Sequence, residues 1–227
     1  MNPENTCWTL IEAAADGNAG ERDAFARRYL GPVEAYLGAR WSGNRLLQER
    51  DDAVQEVFFE FFRDGGVLKR TARGAPGGFR ALLYGVARNV ARRVETRRTN
   101  SKERQLGTVA DLDAIVGDEA TLSGAFDREW AISLMRQAFE TQTRHAKLEG
   151  ERALKRVELL QLRFQDGLPI RKIAERWQIE AATVHEEYRR ARAEFKKSLF
   201  EVVSYHHPDT PHEAEKECTH LLALLSR

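Results

Sequence analysis

The chain has 227 residues, of which 42% are apolar and 31% are charged, a composition typical of one or two folded domains with buried cores. No stretch approaches the ~18 consecutive apolar residues of a membrane helix, and the polar start is not a secretory signal, so we expect a cytoplasmic protein. The two cysteines, Cys7 and Cys218, form no CxxC pair and indicate reduced thiols rather than a disulfide framework.

The formal net charge is +1, but the charged residues stand in blocks of alternating sign. The net charge is −4 over residues 49–64, +6 over 80–104, −5 over 105–130 and +4 over 189–197. Surfaces of opposite sign favour different partners, and the total conceals this asymmetry. A total near zero therefore does not exclude nucleic acid as a ligand.

Apolar residues recur at helical spacing along most of the chain, without a convincing alternating strand pattern. Glycines cluster over 64–78, which predicts a loop, and a second break is predicted over 204–211. The segment 99–124 lacks sustained periodicity and is rich in Asp, Gly, Ser and Thr, as is typical of a linker. We predict an all-α fold with, in chain order, a helical domain, an acidic linker, a second helical domain and a C-terminal helical extension, over 5–100, 101–148, 149–200 and 201–227.

The first helix with an informative face is predicted over 51–63. Its core-facing stripe follows spacings of three and four residues: Val54, Val57, Phe58 and Phe61. The opposite face carries Asp52, Gln55, Glu56 and Phe59. An exposed phenylalanine among carboxylates is typical of a binding hot spot for a basic protein partner. The alternative is a solvated acidic face, with Phe59 in the core of a larger bundle.

A basic helix is predicted over 79–98. Its core-facing stripe is Phe79, Leu82, Leu83, Val86 and Val90. Tyr84, Arg88 and Arg92 follow one another at four-residue spacing on another face. Guanidinium groups at this spacing can track a phosphate backbone, and a tyrosine among them can stack on an unpaired base. The alternative is a solvated basic helix without a ligand.

A helix–turn–helix is predicted near the end of the second domain. Pro169 favours a helix start at Ile170, residues 178–180 make a short turn, and a second helix begins at Ala181. Burying the apolar stripe of the second helix leaves Glu186 and Arg189 facing outward. Such a pair of helices presents a recognition helix to the DNA major groove, although an ordinary helical hairpin has a similar pattern.

The C-terminal extension is predicted to contain one more helix. Thr210, Pro211 and Glu213 combine a cap, a first-turn proline and a capping-box glutamate, which is a typical helix start. Two interpretations stay open. The helix is either a packing extension of the second domain or a regulatory element that folds back on it.

We predict no metal site and no catalytic site. Asp51 and Asp52 are neighbours on a helix and therefore point in different directions, without a nearby histidine. The histidines of the extension and Cys218 match no standard zinc-finger spacing. A nucleophile–base pair or a phosphate-binding loop does not stand out either.

In this order and spacing, the segments resemble an RNA polymerase sigma factor of the extracytoplasmic-function group. Residues 51–58, DDAVQEVF, look like the family's core-polymerase-binding helix, ED-x-x-Q-E-V-F. Residues 79–89, FRALLYGVARN, look like its promoter helix, F-R-x-W-L-x-x-I-A-R-N. Motifs within 162–192 look like its C-terminal DNA-binding domain. The resemblance covers about residues 8–100 and 150–200.

The resemblance implies a dissociable subunit without cofactor or catalytic residues, which binds core RNA polymerase (the β′ clamp and β), promoter DNA and an anti-sigma regulator. Core-polymerase binding is assigned to Asp51, Asp52, Gln55, Glu56 and Phe59. Contacts with the −10 element are assigned to Arg80, Tyr84, Arg88, Asn89, Arg92 and Arg93. Contacts with the −35 element are assigned to Thr183, His185, Glu186, Arg189 and Arg190.

Three departures from the family pattern affect this hypothesis. Leu82 stands in place of a common tryptophan, and Glu180 in place of a serine cap. Glu186 and Glu187 stand where small or basic residues are common, and carboxylates near phosphates lower affinity. We therefore expect weak or atypical recognition of the −35 element. Two alternatives are a helix–turn–helix regulator that binds duplex DNA alone, and a degenerate sigma-like protein that binds polymerase without melting promoters.

Overall fold

The computed structural model describes residues 7–16, 19–63, 67, 78–106, 118–207 and 210–224. Within these ranges the chain forms helices joined by short turns, and no strand occurs. The predicted all-α class is confirmed. A short 3-10 helix, Arg45–Glu49, precedes α3. The α-helices α1 to α9 are, in order, Cys7–Ala15, Ala19–Arg40, Arg50–Phe62, Gly78–Leu106, Glu119–Glu149, Glu151–Phe164, Ile170–Trp177, Ala181–His206 and Pro211–Leu224. None of the helices in the described part of the chain is long and apolar enough to cross a membrane.

The chain divides into two compact units, Asn2–Ser133 and Leu134–Arg227. The division falls within α5, so residues 119–133 of this helix belong to the first unit. This differs from the acidic linker that we expected over 101–148, since α5 occupies most of that range. Residues 107–117, together with 64–66 and 68–77 of the predicted loop, lie outside the described residues.

The start of α5 has a clear local cause. The Asp118 carboxylate accepts a hydrogen bond from the backbone N–H of Thr121 at 2.8 Å, as an N-cap does, and this bond lowers the pKa of Asp118. Glu119 then adds negative charge at the positive end of the helix dipole. Residues that resemble a polar linker in composition are thus also the residues that begin a helix.

An aromatic cluster holds α2, α3 and α4 together in the N-terminal unit. The ring of Phe25, on α2, lies 5.5 Å from Phe61 of α3 and 5.8 Å from Phe79 of α4, centroid to centroid. Tyr29 lies 4.7 Å from Phe79. Aromatic residues bury large apolar areas and favour such tilted or edge-to-face contacts. The cluster therefore orients the outer faces of α3 and α4.

A buried ion pair joins the end of α2 to the middle of α4. Arg40 Nε donates to Glu95 Oε1 at 2.7 Å and Arg40 Nη2 donates to Glu95 Oε2 at 3.0 Å. The indole N–H of Trp41 donates to Glu95 Oε1 at 2.9 Å, and Arg40 Nη1 donates to the Tyr36 hydroxyl at 3.1 Å. The hydrogen bonds to Glu95 raise the pKa of Arg40. A two-point contact of this kind sets both the position and the rotation of α4.

The C-terminal unit contains the predicted helix–turn–helix. Its two helices begin at Ile170 and Ala181, as the sequence predicts. Between them, Gln178 adopts a left-handed backbone conformation, with φ 54°, at the end of α7. A buried cluster joins α6, α7 and α8: Leu159, Leu162, Ile173, Ala174 and Val184.

The predicted C-terminal helix is present as α9 and packs against α8. Its buried residues are Ala214, Cys218 and Leu221. A side-chain contact at 2.5 Å joins His207 Nε2, just after α8, to Glu217 Oε2 of α9. Burial raises the pKa of the Cys218 thiol. These contacts agree with the interpretation of the extension as a packing element and leave its regulatory role untested.

Replacing Arg40 by methionine tests the buried ion pair. The Glu95 carboxylate would remain buried without its cation, and breaking a buried pair in this way costs roughly 3–5 kcal/mol. We expect the free energy of unfolding, measured by urea denaturation with circular dichroism, to fall by about that amount. Arg27→Met is the control, because its partner Asp23 lies one turn away on an exposed surface, where a pair contributes only about 0.5 kcal/mol. A loss no larger than that of the control would contradict the structural role of Arg40.

Candidate binding surfaces

The exposed face of α3 carries four of the five residues assigned to polymerase binding. Asp51, Asp52 and Gln55 are exposed, and the Phe59 side chain is 64% exposed. The core-facing stripe of the same helix is buried as predicted: Val54, Val57, Phe58 and Phe61. Phe59 is therefore not in the core of the described part of the N-terminal unit, and a solvated acidic face stays the alternative to a binding surface. A large aromatic ring in solvent beside carboxylates is the arrangement of a protein-binding hot spot.

Glu56, the fifth residue, forms ion pairs with α4. Its carboxylate Oε1 lies 2.7 Å from Arg97 Nη2 and 3.1 Å from Arg93 Nη2. Arg93 Nη1 also lies 2.7 Å from Oε1 of the buried Glu60. The resemblance assigns Glu56 to polymerase and Arg93 to DNA, whereas the structure pairs these two residues with each other. Both are therefore partly neutralised before any partner binds.

The face of α4 assigned to the −10 element lies against the first half of α5. Arg80 forms an ion pair and a hydrogen bond with Asp127. Arg88 Nε lies 3.0 Å from Glu119 Oε1. The hydroxyl of Tyr84 donates to the same Glu119 oxygen at 2.6 Å. Three of the six residues assigned to the −10 element thus contact two carboxylates of α5.

The Tyr84 ring is held on two sides. Its centroid lies 5.2 Å from Tyr36 and 5.3 Å from Phe126, both in edge-to-face geometry. Burial and the hydrogen bond to Glu119 raise the pKa of Tyr84 well above its usual value. The sequence predicts that this ring stacks on an unpaired base. In the structure the ring packs against two aromatic side chains and the hydroxyl is bonded to Glu119, so stacking on a base stays a prediction.

Asn89 and Arg92 complete this surface. Both are exposed, and neither side chain makes a hydrogen bond or an ion pair within the part of the chain that the structure describes. Arg92 thus differs from Arg80 and Arg88, which lie on the same helix and carry carboxylate partners. A phosphate approaching this face of α4 meets the unpaired guanidinium of Arg92 and the paired guanidiniums of Arg80 and Arg88.

The first half of α5 is anchored by apolar residues rather than by its charges. Leu122, Phe126 and Trp130 are almost fully buried. The Trp130 ring stacks on Tyr29 with centroids 5.8 Å apart. Burial of each such side chain contributes roughly 1.5–3 kcal/mol, which exceeds the 0–1 kcal/mol typical of a surface ion pair. Residues 119–133 are therefore an integral part of the N-terminal unit.

The sequence carries a signal for this anchor that the linker interpretation missed. Leu122, Phe126 and Trp130 stand at four-residue spacing, as the buried stripe of a helix does. The composition of 99–124, rich in small and acidic residues, favours a linker, although the apolar spacing of a helix begins near the end of this segment. Periodicity counted from residue 118 onward, rather than across the whole segment, identifies the helix.

The outward face of α8 carries the residues assigned to the −35 element. Thr183, His185, Arg189 and Arg190 are exposed. Glu186 accepts hydrogen bonds from both arginines, at 2.9 Å from Arg189 Nη2 and 3.0 Å from Arg190 Nε. These bonds lower the pKa of Glu186. Both arginines that the resemblance assigns to the −35 element are thus bound to a carboxylate of the same helix.

Glu187 faces a different partner from Glu186. Its Oε1 accepts a hydrogen bond from Arg152 Nη2 at 2.6 Å, and its Oε2 lies 3.7 Å from Arg156 Nη1. Both arginines belong to α6, so Glu187 joins α8 to α6. Glu187 is therefore a packing contact between two helices, whereas Glu186 lies on the candidate DNA surface. These are the two glutamates that depart from the family pattern here.

Metal-binding groups of three or more His, Cys, Asp or Glu side chains do not occur within the ranges that the structure describes. In comparisons with known proteins, no family model matches the chain and no curated protein matches it. Support for a function therefore comes from the exposed residues of α3, α4 and α8 and from the resemblance of their motifs.

The hydrogen bonds from Arg189 and Arg190 predict how the Glu186 carboxyl titrates. Because the pKa of Glu186 is lowered in the folded state, the stabilisation from its ion pairs is present above the usual glutamate pKa and is lost as the pH falls through the lowered value. We expect the double substitution Arg189→Gln and Arg190→Gln to raise this pKa toward the usual range, as measured by NMR titration of the Glu186 carboxyl. Removing two cations from α7, Arg171→Gln and Arg176→Gln, is the control. An equal rise in both variants would show that general charge, rather than the local bonds, lowers the pKa.

Proposed function

We propose that this protein is a sigma-like subunit that binds core RNA polymerase and directs promoter-specific transcription initiation in the cytoplasm. The observation that carries the proposal is the exposed Phe59 among Asp52 and Gln55, on a helix whose opposite face is buried. The motif that contains this face resembles the core-polymerase-binding helix of the family. An apolar anchor with acidic neighbours suits the basic helices of a polymerase clamp.

The candidate nucleic-acid surfaces supply the other two activities of such a subunit. Arg92 and Asn89 on α4 are available to a single strand at the −10 element. The exposed face of α8 in the helix–turn–helix is available to duplex DNA at the −35 element. An anti-sigma regulator is a further proposed partner, since the polymerase-binding face is open in the free chain.

A second candidate function is a sigma-like protein that binds polymerase without melting promoters. The ion pairs of Arg80 and Arg88 with α5 favour this candidate, because they neutralise part of the strand-binding face. A helix–turn–helix regulator acting on duplex DNA alone leaves the exposed Phe59 without a partner. Initiation from a promoter separates all three functions.

The polymerase-binding face is tested by Asp52→Lys combined with Phe59→Asp. Glu56 is left unchanged because its ion pairs hold α4. Loss of a central aromatic anchor costs about 2 kcal/mol or more, so we expect the dissociation constant for bacterial core polymerase to rise roughly 30-fold or more, with loss of initiation in vitro. The measurement is competition against a labelled sigma subunit.

The control for this experiment also replaces one exposed acid by lysine and one exposed apolar residue by aspartate, at positions outside α3. Glu140→Lys with Leu148→Asp fits, because Glu140 is exposed and Leu148 is 85% exposed. Equal weakening by both double variants would assign the effect to charge in general. Undiminished binding by the Asp52 and Phe59 variant would exclude α3 as the docking helix.

Recognition of the −35 element is tested by Glu186→Gln. The substitution removes the charge that holds Arg189 and Arg190, so these cations become available to phosphates. We expect duplex affinity to rise roughly 2- to 10-fold, with a salt dependence steeper by about 0.9 for each new phosphate contact. Glu158→Gln, at an exposed position on α6, is the control. If neither affinity nor sequence preference changed, Glu186 would have no part in DNA recognition.

A further inference from the structure

We infer that Glu119 and Asp127 occupy the phosphate-binding positions of α4, so that a single strand binds Arg80 and Arg88 only by displacing these two carboxylates. The inference rests on the part of the proposed function that gives α4 a single strand to bind. It adds a regulatory contact within the N-terminal unit: the protein carries its own competitor for the strand.

The two helices match in register. Arg80 and Arg88 are eight residues apart on α4, and Glu119 and Asp127 are eight residues apart on α5. Arg80 pairs with Asp127, and Arg88 pairs with Glu119, so the helices run antiparallel at this contact. At about 1.5 Å of rise per residue, the two pairs stand roughly 12 Å apart along the helices. One pair alone could be incidental, whereas two pairs in register make a repeated acidic contact along a basic face.

A carboxylate and a phosphate compete for the same groups. Both are oxyanions that accept hydrogen bonds from the forked N–H groups of a guanidinium. Glu119 also accepts the hydrogen bond of the Tyr84 hydroxyl, so this one side chain holds two groups that the strand would use. A phosphate at this position would replace Glu119 as the anionic partner of Arg88 and as the hydrogen-bond acceptor for Tyr84.

The carboxylates can exchange without undocking of the helix. The paired side chains are half-exposed, 42% for Arg80 with 41% for Asp127, and 36% for Arg88 with 47% for Glu119. The residues that anchor α5, Phe126 and Trp130, are buried instead. Side-chain rotation in solvent is fast, whereas release of buried aromatic residues is not. The competing element is therefore the pair of acidic side chains, on a helix that stays in place.

The experiment compares the wild-type chain with E119Q/D127N in binding a fluorescent single-stranded oligonucleotide, followed by anisotropy over a series of salt concentrations. Glutamine and asparagine keep the shape of the side chains and remove their charge. We expect affinity to rise roughly 3- to 30-fold, and the salt dependence to steepen by about 0.7 for each arginine that gains a phosphate. The control E140Q/E158Q removes two exposed carboxylates elsewhere and should change affinity much less.

Two further variants show which arginine produces the gain in affinity for the single strand. Arg88→Ala should remove the part of the gain that Arg88 supplies in the E119Q/D127N background, leaving the part from Arg80, and should have a smaller effect in wild type, where Arg88 is already paired. Arg92→Ala should weaken binding by a similar factor in both backgrounds, since Arg92 has no carboxylate partner within the described residues. Equal effects of Arg88→Ala in both backgrounds would overturn the inference, as would a gain no larger than that of E140Q/E158Q.

Binding to core polymerase separates this inference from the proposed function. Glu119 and Asp127 pair with residues of α4 and not with the proposed docking residues of α3, so E119Q/D127N should bind core polymerase as wild type does. Core binding and initiation without any gain in strand affinity would overturn the inference and leave the proposed function standing. A gain in strand affinity without core binding by either protein would overturn the proposed function and leave the inference standing.

Discussion

The buried pair of Arg40 and Glu95 is the interaction on which the candidate surfaces depend. It fixes α4 against α2 by two hydrogen bonds, and Arg40 also donates to the Tyr36 hydroxyl. The Tyr36 ring packs against Tyr84, whose hydroxyl donates to Glu119. Side-chain contacts therefore run without a break from the core of the N-terminal unit to the acidic residues of α5. The rotation of α4 set by the buried pair decides which of its side chains can meet a partner.

The charge blocks of the sequence largely neutralise one another in the N-terminal unit. Glu56, in an acidic block, pairs with Arg93 and Arg97 in the basic one. Glu119 and Asp127, in the next acidic block, pair with the same basic block from α5. By sequence alone, blocks of opposite sign indicate surfaces for different external partners. Within the fold they are first partners of each other, so an external ligand meets the unpaired residues or must compete for the rest.

The candidate sites are combinations of exposed and paired groups. On α3, Phe59 and Asp52 are exposed to a partner, while Glu56 pairs with α4 and Asp51 pairs with Arg50. On α8, Glu186 binds Arg189 and Arg190 at separations of three and four residues, so this neutralisation follows from the helix itself. On α4, the neutralisation comes from α5 and depends on tertiary packing. The pairing on α8 lies within one helix, whereas the pairings of Glu56 with α4 and of α4 with α5 each join two helices, so the two kinds predict different responses to substitution.

The sequence by itself determined the helical class, the bounds of the helix–turn–helix and the buried stripe of α3, because caps, turns and apolar periodicity act over a few residues. It placed Phe59 outside that stripe and left open whether a larger bundle buries it, whereas the structure has the residue exposed. Only the tertiary structure decided that residues 119–133 join the N-terminal unit and that Glu119 and Asp127 reach Arg88 and Arg80. These contacts span 31 and 47 residues of chain, and no local pattern specifies which distant helix a given carboxylate will meet.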